Sequence, residues 1–161
     1  MAKSKAGGTP ATVALTAAGV GFTLHPYEHH ADVSAFGEEA ATALGVDPLQ
    51  IFKTLVVDAG GELVVAVVPV ARHLDLKAMA AAVGAKKVAM ADPAAAARSS
   101  GYVLGGISPI GQRTRLRTVV DASATGFDTV LVSAGRRGLQ VELAPADLLR
   151  VTAAVVEPIS I

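Results

Sequence analysis

The sequence predicts a mixed, largely antiparallel β-sheet, curled towards a barrel and flanked by helices, in a single domain. Three observations predict it. At 161 residues the chain is long enough to bury one substantial core. Its apolar, β-branched runs are grouped around Gly-rich turns, as in "IFKTLVVDAGGELVVAVVP", which is the pattern of hairpins. Helical segments are interspersed between them without the strict alternation of a βαβ fold.

The elements follow in order. Thr9-Pro10 supplies a helix cap and a first-turn proline, so a short helix should run to about Ala18 and end at Gly19 and Gly21. "FTLHPYEH" reads as a strand in which Pro26 marks an edge or a bulge. A helix from about Gly37 to Leu44 stops at Gly45, and Asp47-Pro48 opens a helical turn. Residues 53–69 form a hairpin around Gly60-Gly61. Asp75 caps a helix over "LKAMAAAV", closed by Gly84, and Asp92-Pro93 opens another through "AAAARSS". After the glycine-rich "GYVLGGISPIGQ", strands are expected at Leu116–Asp121 and Thr129–Ser133. "SAGRRG" turns into the strand "LQVEL"; Ala144-Pro145 begins a last helix through Arg150, before a strand near Ala153–Val156.

Composition narrows the class. The hydrophobic fraction of 52% owes much to alanine, and its longest uninterrupted run, Leu63–Ala71, contains Pro69. That is far short of the roughly 20 apolar residues of a membrane span. "MAKSKAGG" is followed by no apolar region, so it is not a secretory signal; residues 1–8 read as a disordered tail and 9–161 as the folded domain. With no cysteine, the chain has no disulfide, zinc-thiolate site or cysteine nucleophile, and it is compatible with the cytoplasm. The 14 basic and 14 acidic residues cancel, which argues against binding long nucleic acid, DNA included, through the whole surface. Positive charge is local instead, at Arg113, Arg115 and Arg117, Lys86-Lys87 and Arg136-Arg137, where solvated loops are the simplest account.

Four segments could carry chemistry. In "HPYEHH", His25 and His29 lie about 13 Å apart on a strand, too far for one metal. Tyr27 either lines a pocket or covers the sheet. "GGISPIG" lacks the Walker lysine and the G-x-S-x-G elbow, so Ser108 is not assigned as a nucleophile. Its backbone N–H groups suit an anion or a developing oxyanion, although a tight strand connection would look the same. In "SAGRRG" an arginine could hold a phosphate or simply be solvated. Lys53 shares a strand face with Ile51, Leu55 and Val57. Such a cation either snorkels to water or projects into a cleft to hold a polar ligand.

Several segments, in order along the chain, closely resemble the YbaK family of cysteinyl-tRNA(Pro) deacylases. They are "YEHH", "FGEEAATALG", "IFKTLVV", "VAVVPVARHLDLKAMAAAVGAKKVAMADP", "GYVLGGISPIGQRTRL" and "GRRGLQVEL". The wider family includes the editing domain of bacterial prolyl-tRNA synthetases. The resemblance implies an α/β fold around a mixed sheet that closes on itself, and removal of cysteine from the 3′ end of mischarged tRNA(Pro), with no metal or cofactor. It implies that Lys53 is a pocket lysine and Tyr27 a pocket tyrosine. Gly105, Gly106, Ile107, Ser108 and Pro109 would form the loop beside the ester, their N–H groups from Gly105 to Ser108 holding an oxyanion. Ser133, Gly135, Arg137 and Gly138 would form a second ligand-facing loop, and Arg113, Arg115 and Arg136 would contact tRNA. The sequence departs from the family at His30, where relatives often carry Asp, and at Arg117, where "RLP" is common. Near-zero charge leaves room for a partner such as prolyl-tRNA synthetase. Two alternatives stay open: a non-catalytic module for tRNA 3′ ends or nucleotides, and a deacylase for another small amino acid such as alanine.

Overall fold

The computed structural model describes residues 8–31 and 35–161. The tail expected over residues 1–8 therefore lies, save for Gly8, outside the described residues. Helix α1 (Pro10–Ala17) opens on a reciprocal cap: the Thr12 N–H donates to Thr9 Oγ1, and the Thr9 N–H donates to Thr12 Oγ1. Strand β1 (Thr23–Pro26) precedes α2 (Phe36–Leu44), whose end is fixed by left-handed Gly45. The hairpin β2 (Phe52–Asp58) and β3 (Leu63–Pro69) pairs Phe52 with Pro69 and Asp58 with Leu63. Helices α3 (Leu76–Val83) and α4 (Pro93–Ser100) are capped by Asp75 and Asp92, with the short strand β4 (Ala89–Met90) between them. Strand β5 (Thr118–Asp121), a 3-10 turn (Ala122–Gly126), the hairpin β6 (Val130–Arg136) and β7 (Leu139–Leu143), α5 (Pro145–Thr152) and β8 (Val155–Glu157) complete the described elements.

The described strands form two sheets, ordered β4-β2-β3-β5-β8 and β1-β7-β6. Pairing is antiparallel except for β3-β5 and β5-β8, so the sheet is mixed and largely antiparallel as expected. The expected curl into a barrel is corrected. Between β2 and β6 there is only an isolated bridge, Ile51 to Leu131, and no continuous ladder joins the sheets. The β6-β7 ladder itself shifts register between Ser133 and Arg136. Strand β6 also runs three residues beyond its expected end at Ser133, carrying the start of "GRRG" with it.

Three apolar clusters hold these layers together. The largest packs Phe52, Val56, Val65 and Val67 of the first sheet against Val132, Leu139 and Val141 of the second. A second places Met79 and Val83 of α3 on Val57, Val64 and Val68. A third sets Ala40 and Ala41 of α2 on Ile51, Val70 and Leu131. Strand β3 is thus covered on both faces, which explains its unbroken apolar run.

Candidate functional site

Lys53 stands at the seam between two of these clusters. Ile51, on one side along its strand face, belongs to the α2 cluster; Leu55 and Val57, on the other, pack with the α3 cluster. The gap between them opens into a cavity of about 370 Å³ lined by Phe36, Glu38, Lys53, His73, Gly105 and Gln140 among others. Burial draws the Lys53 ammonium below its ordinary range, and the charge of Glu38 opposes that shift.

The cavity also meets an open strand edge. The carbonyl of Gln50 accepts the Leu131 N–H, and that of Val56 accepts the Ala91 N–H. By the alternation of an antiparallel strand, the backbone groups of Phe52 and Thr54 point the same way. Strand β4 reaches only Val57 and Asp58, and the isolated parallel bridge of Ile51 with Leu131 engages the Phe52 N–H, so the Phe52 carbonyl and the Thr54 backbone lie beyond both pairings. Across the cavity lie Ser133 and Gln140, paired on β6 and β7. Gln140 is 7% exposed, and its Oε1, like the Thr54 Oγ1, is buried without a hydrogen-bond partner. An entering ligand therefore meets one cation and two side-chain oxygens lacking a donor, beside the short strand edge at Thr54.

The glycine-rich loop forms the facing wall through Leu104, Gly105 and Ile107. A Cβ on Gly105 would lie 2.7 Å from the Phe36 ring, and its φ of +85° is one that side chains resist. Phe36 is the wedge that shapes this wall. Its ring lies 5.8 Å from the His29 ring, and the Arg137 guanidinium sits 4.8 Å above it. Arg137 Nε donates to the Leu104 carbonyl at 2.8 Å, tying the second loop to the first. Tyr102 anchors the loop from below by donating its hydroxyl to the Ile110 carbonyl at 2.6 Å, and burial pushes its pKa up to about 12.

The remaining residues singled out in the sequence are placed less uniformly. The Gly106 N–H donates to the Val103 carbonyl at 2.9 Å, so it is engaged within the loop, in contrast to the free donor expected there. No described acceptor takes the N–H of Gly105, Ile107 or Ser108. Ser108 is fully buried, and its Oγ accepts the Ile110 N–H. Pro109 lines a different cavity, beside Arg113 and Arg115. Tyr27 packs on the α2 cluster, and its N–H donates to the Gly138 carbonyl. Gly135 packs against Tyr102 and Thr9, where a Cβ would come within 2.8 Å of the ring. Arg136 is exposed.

His25 and His29 do not share a ligand. His25 Nε2 is 2.7 Å from Glu142, and His29 Nδ1 is 2.7 Å from Glu39. Glu39 is held below the usual carboxylate range by His29 first and by the His30 N–H second. Among the described residues no group of three or more His, Cys, Asp or Glu side chains could hold a metal ion. Nor is any described helix long and apolar enough to cross a membrane.

Sequence reasoning missed Phe36, His73 and Gln140. An aromatic at a helix start reads as core, and a glutamine in an alternating strand reads as its solvent face. His73 sits in a turn, pinned by two backbone hydrogen bonds with Ile161.

Comparison with known proteins follows the same geography. Residues 30–151 match the family model described as an aminoacyl-tRNA editing domain. The proposed Cys-tRNA(Pro)/Cys-tRNA(Cys) deacylase EbsC of Enterococcus faecalis is 43% identical over 117 residues, 71% of each chain. The multifunctional Ser/Thr-tRNA deacylase ProXp-y of Escherichia coli is 30% identical over 142 residues, 85% of this chain and 83% of that one. A solved structure described as a proposed trans-editing enzyme for prolyl-tRNA synthetase superposes with a TM-score of 0.84 at 25% identity, covering 94% of this chain and 95% of the other.

Proposed function

The chain belongs to the aminoacyl-tRNA editing domain family, and from that premise we propose that it is a free-standing deacylase clearing cysteine from mischarged Cys-tRNA(Pro). The observation that carries this reading is Lys53, a partly buried ammonium held at the seam of two apolar clusters and facing a cavity. A charge so placed incurs a desolvation penalty unless a ligand uses it. The terminal adenosine and its phosphate provide such a ligand. The biological need follows from size: cysteine and proline differ little in apolar volume, so a synthetase pocket separates them poorly and a second step must clear the error.

The chain has no cysteine, and Ser108 is buried with its hydroxyl engaged by Ile110, so the substrate is the better source of a nucleophile. A cysteine thiol has an ordinary pKa of about 8.5, so a few per cent is thiolate at neutral pH. That sulfur attacks its own ester carbonyl. A sulfur–carbon bond forms, the carbonyl carbon–ribose oxygen bond breaks, and the ribose oxygen takes up a proton. The products are free tRNA and a strained cyclic thioester, which water opens to cysteine. In this scheme the chain supplies orientation and charge. Lys53 fixes the ribose-phosphate end. The N–H groups of Gly105 and Ile107, and that of Ser108 behind them, are the candidate oxyanion donors. Thr54 Oγ1 and Gln140 Oε1 accept from the aminoacyl ammonium. Ser133, Gly135, Arg137 and Gly138 shape the second loop, Tyr27 is the pocket tyrosine bonded to it through Gly138, and prolyl-tRNA synthetase is a candidate delivery partner.

Identity to a Ser/Thr-tRNA deacylase favours a second reading, in which an activated water removes another small amino acid. One experiment separates the two. Purified protein is incubated with tRNA(Pro) charged with Cys, S-methyl-Cys, Ser, Ala or Pro, and ester loss is followed in single turnover. Thiol assistance predicts rapid loss of Cys, slow loss of Ser and an inert S-methyl derivative. Equal rates for Ser, Ala and Cys would defeat it in favour of activated water, and no turnover of any would leave a binding module.

A further inference from the structure

A second cavity, of about 270 Å³, lies against the far end of the glycine-rich segment, lined by Pro109, Gly111, Gln112, Arg113, Arg115 and Val151 among others. We propose that it seats a ribose-phosphate of the RNA strand that leads to the aminoacylated 3′ end. The inference rests on the deacylase reading above and extends it to a site remote from the reacting ester.

Three observations carry it. Arg113 and Arg115 are exposed and line one concavity, and neither has a carboxylate within ion-pair distance among the described residues. Arg117, two residues on, is different: its Nε is 3.0 Å from Glu62, and its Nη2 also donates to the Val83 carbonyl. The arginine run is therefore divided, one member neutralised by the fold and two left for an anion. Second, the cavity's arginines are supported. The Arg113 N–H donates to the Ser100 carbonyl at 2.9 Å, and Arg115 Nη2 reaches the Val151 carbonyl at 3.3 Å. Third, Gln112 Nε2 donates to the Ser108 carbonyl at 2.9 Å, which orients the amide and leaves its Oε1 buried without a donor.

A guanidinium pair needs an anion, and an amide oxygen needs a hydrogen-bond donor. A ribose-phosphate offers both, the second through its 2′-hydroxyl, which DNA lacks. The position fits a strand already entering the catalytic cavity. Ile107 lines that cavity and Gln112 this one, and five residues of chain span at most about 17 Å. Stacked nucleotides rise about 3.4 Å each, so no more than about five would bridge the two. Through Gln112 and Ser108 the seat is also bonded to the loop beside the ester.

The test uses fluorescence anisotropy with an uncharged acceptor-stem minihelix carrying a single-stranded 3′ end. RNA and DNA versions are titrated between 50 and 200 mM salt, a range over which a few phosphate contacts change affinity by orders of magnitude (about 10³ or more for six). The double variant Arg113→Ala/Arg115→Ala is expected to bind RNA roughly tenfold or more weakly, with a salt slope flatter by about two units. Gln112→Leu should narrow the preference for RNA over DNA. Unchanged affinity and slope in a folded double variant overturn the seat, and equal binding of RNA and DNA by the natural protein overturns the 2′-hydroxyl contact. Deacylation of charged tRNA is measured in parallel. Turnover by the natural protein with an unaltered double variant removes the seat alone. Arginine-dependent RNA binding without any turnover removes the deacylase reading and leaves the seat standing.

Discussion

Replacing Gly106 by alanine tests how closely the glycine-rich loop must approach the β6-β7 hairpin. A Cβ built there lies 2.8 Å from the Arg136 Cα, 2.9 Å from its carbonyl carbon and 2.9 Å from the Arg137 nitrogen. Carbon atoms pack best at about 3.5–4.0 Å, so the overlap is roughly 0.7 Å or more. All three atoms are backbone, and no rotamer change relieves them. The loop and hairpin must separate. Overpacking of this kind costs about 1–3 kcal/mol. At about 2–4 °C per kcal/mol for a domain of this size, the melting temperature should fall by roughly 2–12 °C. A displacement approaching 1 Å beside a reacting centre slows chemistry by about a hundredfold. Gly126→Ala is the control, because it meets nothing within 4 Å and has no positive φ. Calorimetry and single-turnover deacylation on both variants decide the matter. A Gly106→Ala protein that melts and reacts like Gly126→Ala refutes the packing argument. One that melts early yet reacts at the natural rate refutes the catalytic placement of the loop.

Three further outcomes are expected. Lys53→Ala should abolish most deacylation with an unchanged far-ultraviolet spectrum, and Lys53→Met should unfold at equal or higher denaturant. Burial lowers the folded-state pKa, so the charged form opposes folding at every pH below it, and methionine removes that opposition; an unfolded Lys53→Met would count against the cavity placement. Asp121 is 3% exposed; burial pushes its carboxyl up, but the Ser123 hydroxyl and the Ile159 N–H outweigh this and hold it below the usual carboxylate range. Its contribution is therefore present above the usual carboxylate range and lost as pH falls through the lower folded value, so urea titrations of Asp121→Asn from neutral to acid pH should show a flatter acid limb and a loss near neutrality of about 1–3 kcal/mol. Ala153 ends α5 at φ 53°, a conformation that costs an L-residue about 1 kcal/mol, so Ala153→Gly should raise the melting temperature by roughly 2–4 °C, and a fall would contradict the strain.

Local chemistry was the most legible part of the sequence. Thr9, Asp75 and Asp92 cap the helices they precede, and Gly45, Gly84 and Gly101 end theirs in the left-handed region. Lys53 stood out because a cation interrupts an apolar strand face. What period and cap residues do not contain is the pairing of distant segments. Whether β6 runs along β2 decides between a barrel and two sheets, and that depends on a single bridge at Ile51 and Leu131. Glycines were equally ambiguous. Gly105 yields to Phe36 at the cavity, but Gly111 yields to the backbone of Pro10 and Gly135 to Tyr102, and in sequence all three read as ligand loops. Phe36 and Gln140 were missed because their role exists only where three elements converge.

The open stretch of β2 has a consequence for solubility. An uncovered strand edge is a template on which a second chain can add, and proteins usually blunt such edges with charge or bulges. Here the vacancy is bounded at one end by the Leu131 N–H on Gln50 and at the other by the Ala91 N–H on Val56. Only the Phe52 carbonyl and the Thr54 backbone lie within it, since the Ile51–Leu131 bridge engages the Phe52 N–H, and the glycine-rich loop walls the space in front. An intruding strand would find too few partners to gain a register, while a small ligand would find enough to be oriented. The same confinement leaves the edge room for a small ligand and little for a second chain.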